Sequence, residues 1–190
     1  MSKNKTKKSY DGPSFPHDPG NEVAFTKTKL PFGWLGNMAP FPVRYVGKDW
    51  KTTEHLFQAL RYPEDASGPQ GENIREETRA QKSPVGAKRK AKKTAYVPQR
   101  TIEAMSDTDL ELMRMVLRLK VDAHPELKQK LLATGAKNII EDCTARPGGS
   151  GCFWGAELND GVWQGHNWLG NLWMELREKL AQEMVTGTDA

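Results

Sequence analysis

A chain of 190 residues and 21.3 kDa, 37% hydrophobic and 27% charged, has room for one ordinary domain and needs no disulfide or metal staple to bury a core. No apolar run approaches the roughly 18–20 residues of a membrane span, and no apolar leader core follows the basic start MSKNKTKKSY, so the expected location is cytoplasmic. The net charge of +4 sits mostly in residues 1–30, where six lysines face three acids, whereas the other 160 residues hold 22 bases and 21 acids; a basic nucleic-acid-binding face is not expected.

Residues 1–22 are rich in Lys, Ser, Pro, Gly and Asp, a composition that predicts a disordered basic tail. The ordered domain is expected over 23–184, with 185–190 a flexible C-terminus. Trp34 to Phe41 mixes aromatics with Gly and Pro and reads as a packed loop. Phe41, Val43 and Tyr45 alternate, Gly47-Lys48-Asp49 supplies a turn, and Trp50 starts a return strand, giving a short hairpin. Thr52 caps a helix from Glu54 to Arg61, which Pro63 and the stretch Ser67–Asn73 end in a loop.

A second helix is expected from Pro84, carrying a basic run. A third is capped by Ser106, with Asp109 placed as in a capping box and Leu110, Met113 and Leu117 as its apolar stripe. A fourth runs from Pro125 to near Gly135. Residues 144–165 are Gly-rich and read as irregular, and a last helix follows Asn167 with Leu169, Leu172, Leu176 and Leu180 at helical spacing. The fold class is α+β: a mostly helical single domain with a small β element.

Three stretches carry candidate chemistry. On a helix, Glu54, Gln58 and Arg61 fall at i, i+4 and i+7 and share one face. Glu54 in the first turn, where negative charge is favoured, suits a carboxylate that stabilises a cation or acts as a base. The plainer reading is a Glu that holds the helix, with Arg61 a solvent neighbour. The run Lys82–Arg100 has seven bases and no acid; it suits either a phosphate at a helix start or a solvated face. Trp154, Trp163 and Trp168 lie in a Gly-rich segment and suit a stacking wall or a core plug. Gly170, inside the last helix, points to a close backbone approach.

Cys143 and Cys152 form no CxxC and read as reduced thiols, and the four histidines show no metal spacing, so neither a metal nor a cofactor is expected. No P-loop, GxSxG or GxGxxG fingerprint is present.

Gly36-Asn37 with Pro40-Phe41, then Thr53-Glu54-His55-Leu56-Phe57-Gln58-Ala59, resembles the opening of the NADAR (YbiA-like) family. The resemblance continues through Ser83-Pro84 with Ala87-Lys88, Ile140-Glu141, Trp154-Gly155, and Gly165-His166-Asn167-Trp168-Leu169-Gly170 with Met174 and Arg177. It implies an N-glycosidase acting on ribosylated heterocycles, with ribosylamino-pyrimidine phosphates of early riboflavin synthesis as leading substrates. ADP-ribosyl-guanine or another NAD-derived substrate is the alternative within that class. A non-catalytic module binding ADP-ribose or nucleic acid is the alternative outside it.

The roles that the resemblance implies are Glu54 as catalytic carboxylate, Lys88 and Arg89 on phosphate, and Trp154-Gly155 at the stacking wall. Asn37, His55, Gln58, Arg61 and Asn167 are further substrate-binding residues. The chain departs from the family pattern at Arg61, usually Lys, at Glu157, usually Gly, and at Gly151, where many members carry Asp. Asp142, Glu157 and Asp160 are then the candidates for a second carboxylate.

Overall fold

A computed structural model describes residues 12–146 and 150–186. Strand β1 (Ser14–Pro16) pairs antiparallel with β7 (Val162–Gln164), which pairs in turn with β6 (Glu157–Asn159). A second ladder is parallel, β2 (Glu22–Phe25) beside β5 (Asn138–Glu141), and a hairpin joins β3 (Val43–Tyr45) to β4 (Lys48–Trp50). The helices are α1 (Thr53–Leu60), α2 (Ile74–Arg79), α3 (Pro84–Ala91), α4 (Asp107–Ala123), α5 (Pro125–Leu132), α6 (Gly151–Trp154) and α7 (Trp168–Thr186). No helix among the described residues is long and apolar enough to cross a membrane.

The expected α+β architecture is therefore what the chain adopts, with several local differences. Part of the segment read as a disordered tail is strand. Phe15 lies opposite Trp163 and packs on a small cluster with Ile140 and Ala156, while Gly165 N–H donates to Pro13 O. Composition measures what a segment can bury alone; β1 instead covers the edge of a sheet built by the other end of the chain. The N-terminal part of that tail, residues 1–11, lies outside the described residues, as do 187–190 of the expected flexible end. Within that end, α7 continues through Val185 and Thr186.

The stretch expected to be irregular holds α6, β6 and β7. Short α2 was missed because its six residues show no full apolar period. The hairpin turn is tighter than expected: Val46 and Gly47, with φ of 46° and 73°, close it, and Lys48 and Asp49 already belong to β4.

The core lies between α1, α4 and α7. Leu56, Phe57 and Ala59 meet Met113, Val116 and Leu117, and α7 contributes Leu169, Leu172, Trp173 and Leu176. Each such fully buried side chain contributes about 1.5–3 kcal/mol of transfer free energy. The start of α7 lies so close to β5 that a Cβ on Gly170 would sit 2.0 Å from Ile139 O, the close approach expected of that glycine.

One buried cation organises the loop before the hairpin. Lys120, on α4 and fully buried, donates from Nζ to Trp34 O (2.5 Å) and Gly36 O (3.0 Å). Its ammonium lies 5.4 Å from the Phe41 ring and 5.7 Å from the Trp173 ring. Burial pulls its pKa down to about 7.

Candidate functional site

Helix α1 begins where the Thr52 hydroxyl accepts from His55 N–H, and every residue from Thr53 to Leu60 is buried. Leu56, Phe57 and Leu60 fill the core, so the polar face of the same helix has to be satisfied internally. Gln58 Nε2 donates to Glu54 Oε1 (3.0 Å), and Arg61 Nη1 donates to Gln58 Oε1 (3.3 Å). Arg61 is itself held in a fork by Asp109, Nε to Oδ1 at 2.8 Å and Nη2 to Oδ2 at 2.5 Å.

Arg61 is thus no solvent neighbour: it is 3% exposed, paired with a fully buried carboxylate. The Ser106 hydroxyl accepts from Asp109 N–H (3.2 Å) as expected, but the Asp109 carboxylate accepts from Met105 N–H instead of closing the other half of the capping box. The chain Asp109–Arg61–Gln58 fixes the Glu54 carboxylate through three residues that leave it little freedom.

Glu54, Gln58 and Arg61 line a cavity of about 840 Å³. Asn37 lines it too, placed by Lys120 through Gly36 and by contacts of its own. Its carbonyl accepts from Glu54 N–H (3.0 Å) and from the Thr53 hydroxyl (3.1 Å), and its amide reaches Met113 Sδ (3.1 Å). Trp154 forms part of another wall, edge-on to Phe57 at 5.6 Å and to Phe153 at 5.0 Å. By contrast Trp163 is a core plug, 2% exposed, its indole N–H donating to Glu22.

The basic run divides by direction. Lys88 and Lys92 face the cavity with Arg100, whose guanidinium is braced by Tyr62 Oη (3.1 Å) and Ala91 O (2.9 Å). Partial burial, then Lys88, Arg61 and Arg100 in turn, hold the Lys92 pKa below the ordinary lysine value. Such crowding of cations is favourable only with an anion among them. Lys90 pairs with Glu77, and Lys93 lies over the Tyr96 ring at 5.4 Å. The cations of this run that face the cavity stand at the end of α3 and at Arg100, not at the helix start.

Four of the expected substrate-binding residues do not line this cavity. Arg89, one residue beyond Lys88, is rotated away by the helix period and is exposed. His55 is fully buried: Nδ1 meets the Thr52 hydroxyl at 2.8 Å and Nε2 meets Gln81 O at 3.2 Å. Burial lowers its pKa, partly offset by the Gln81 carbonyl, so it fastens α1 as a neutral ring.

Gly155 is a packing position, where a Cβ would lie 2.2 Å from Glu141 O. Asn167, at φ 53°, ties β5 to α7: Nδ2 donates to Ile139 O (2.8 Å) and Oδ1 accepts from Glu141 N–H (3.0 Å).

The residue that sequence reasoning missed as a functional group is Glu141. Asn167 and Gly155 fix its backbone, and its side chain lines the cavity with Asp142; Glu157 and Asp160 do not. Glu141 Oε2 is buried without a hydrogen-bond partner among the described residues. Desolvation, then the nearby Glu54 carboxylate, raise its pKa from 4.5 to about 7, against Lys88 and Arg146, which lower it. The available signal was an acid closing the apolar run Ile139-Ile140, where a strand ends.

Gly151 lines the cavity. Cys143 and Cys152 are free thiols with Sγ atoms 3.7 Å apart, and burial pushes Cys143 up to about 12.

The chain that folds this α+β domain, with its polar α1 face, cation cluster and half-buried aromatic wall, matches the family model of the NADAR domain over residues 24–181. The chain belongs to the NADAR family. It is 34% identical over 161 residues to N-glycosidase YbiA of Escherichia coli, covering 85% of this chain and 89% of that protein.

An N-glycosidase of Nostoc punctiforme is 26% identical over 161 residues, covering 83% and 92%. A riboflavin biosynthesis protein of Vibrio vulnificus is 28% identical over 79% of this chain and 36% of its own length. The NMR structure of the E. coli protein YbiA superposes with a TM-score of 0.68 at 32% identity, covering 87% of this chain and 88% of that one.

Proposed function

We propose that the protein is an N-glycosidase that hydrolyses the bond between a 5′-phosphorylated ribose and a nitrogen heterocycle, with ribosylamino-pyrimidine 5′-phosphates as substrates and ribose 5-phosphate and the free base as products. The observation that carries this reading is Glu54, locked by Gln58, Arg61 and Asp109 at the wall of a cavity whose cations stand at the end of α3. Departure of the heterocycle builds positive charge on C1′ and O4′ of the ribose. A fixed carboxylate facing that carbon stabilises the charge and orients the attacking water.

Lys88, Lys92 and Arg100 supply three cationic donors for the 5′-phosphate, and Trp154 offers a ring face for the heterocycle. The names of the E. coli, Nostoc and Vibrio relatives support the reaction class and the riboflavin-related substrate. No metal or organic cofactor enters the reaction as proposed.

The test is release of ribose 5-phosphate from the two ribosylamino-pyrimidine phosphates, wild type beside Glu54→Gln. Wild type should turn both over, and the variant should lose about 10²–10³ in kcat, as when one preorganised charge-stabilising group is removed. An unchanged kcat in Glu54→Gln would remove Glu54 from the chemistry.

A further inference from the structure

We propose that Glu141 is the general acid of this reaction: it protonates the nitrogen of the departing heterocycle while Glu54 stabilises the ribosyl cation from another wall of the cavity. The inference rests on the N-glycosidase reading and adds to it the source of the leaving-group proton. A heterocyclic amine leaves poorly as an anion, so a proton has to reach its nitrogen as the C1′–N bond breaks.

The two carboxylates have opposite surroundings, which separates their roles. Glu54 sits in the first turn of α1 and accepts a hydrogen bond from the Gln58 amide, both favourable to a carboxylate. Glu141 stands at the end of β5 with Oε2 buried and no donor directed at it among the described residues, an environment that favours the uncharged acid. Like charge across the cavity acts in the same direction, since Glu54 raises the Glu141 pKa. The groups acting on Glu141 are Glu54 from α1, Lys88 from α3, and Arg146 from its own loop. The adjoining Cys143 thiol is pushed up by burial and stays neutral.

Placement supports the role. Ala156 N–H donates to Glu141 O (2.9 Å), and the absent side chain of Gly155 lets α6 close onto the same carbonyl. The aromatic wall made by Trp154 is therefore fastened to the backbone of the acid. Trp154, Glu141, Lys88 and Lys92 line one cavity, so a single ribosyl phosphate can meet the stacking wall, the acid and the cations together.

The proton balance closes as follows. Glu141 gives its proton to the linking nitrogen, the C1′–N electron pair leaves with that nitrogen, and the neutral amine departs. Water adds to C1′ and passes a proton to Glu54, leaving Glu54 protonated and Glu141 ionised. Exchange of one proton through solvent restores both, and the net reaction consumes one water.

The experiment compares wild type, Glu141→Gln and Glu141→Asp on a ribosylamino-pyrimidine phosphate and on 4-nitrophenyl ribofuranoside 5-phosphate, whose phenolate leaves without a proton. Glu141→Gln should fall about 10²–10⁴-fold on the amine substrate, the usual contribution of a positioned acid, and less than about tenfold on the nitrophenyl substrate. Wild-type kcat/KM on the amine should decline above about pH 7 as Glu141 ionises. That decline should persist in Glu141→Asp and vanish in Glu141→Gln.

Equal losses on both substrates, or an unchanged alkaline decline in Glu141→Gln, would overturn the assignment and reduce Glu141 to a structural part. Wild type inactive on both substrates would instead overturn the N-glycosidase reading on which it rests.

Discussion

Replacing Glu141 by Gln should shift stability in the variant's favour as pH rises. Burial of Oε2 without a donor, followed by the charge on Glu54, moves the Glu141 pKa from 4.5 to about 7. In the unfolded chain the group ionises near 4.5, so between 4.5 and about 7 the folded protein binds more protons than the unfolded one. Stability fully present below 4.5 is then lost as pH rises towards 7. For these two values the loss is under about 1 kcal/mol at pH 5 and roughly 3 kcal/mol at pH 8.

Gln does not titrate, and the fixed cost of burying its amide is the same at both pH values. The variant should therefore gain roughly 2–3 kcal/mol on wild type between pH 5 and pH 8. Lys120 has the opposite linkage: its pKa is lowered to about 7, so its contribution rises with pH above that value. It is present in both proteins and cancels in the comparison. Urea unfolding followed by tryptophan fluorescence at the two pH values gives the difference directly. A pH-dependent gain below about 0.5 kcal/mol would refute a buried, proton-holding Glu141.

Lys88→Ala and Lys92→Ala should each raise KM for a 5′-phosphorylated substrate about tenfold, the equivalent of one charge-assisted hydrogen bond, whereas Arg89→Ala should leave it within about twofold. Steady-state kinetics at fixed ionic strength decides between the neighbouring positions. Asp109→Ala strands Arg61 in a fully buried setting and should cost about 3–5 kcal/mol in a thermal or chemical denaturation series, with activity falling as Gln58 loses its anchor. Gly170→Ala puts a carbon 2.0 Å from Ile139 O and should destabilise by about 1–3 kcal/mol through displacement of α7 from β5, measurable by urea unfolding.

The parts of this fold that were legible in sequence are those decided locally. Thr52 and Ser106 announce helix starts because the cap is a contact three residues long, and each accepts the N–H expected of it. The i, i+4, i+7 face of α1 followed from helix geometry, and its members do meet. What stayed hidden depends on partners far along the chain. Asp109, 48 residues from Arg61, looked like a local cap because nothing nearby marks a buried arginine. Glu141 looked ordinary because its character comes from the cavity and not from its neighbours in sequence. In the basic run, composition showed seven cations alike, and only the helix phase separates Lys88 from Arg89.

The buried ammonium of Lys120 has a consequence for how the protein is assembled. The loop carrying Asn37 is held by a group 84 residues later, donated to Gly36 O from the last turn of α4. Until α4 has docked, Trp34 O and Gly36 O lack the ammonium that fastens them, and Asn37 lacks its contact with Met113. Catalytic competence is therefore not a property of the N-terminal half, although Glu54 and Lys88 both lie there. It arises only with the long-range closure of the whole domain, which is the slow, non-local part of folding. A nascent chain ending before α4 would carry Glu54 and Lys88 but neither Asp109 nor Glu141, nor the ammonium that fastens the Asn37 loop.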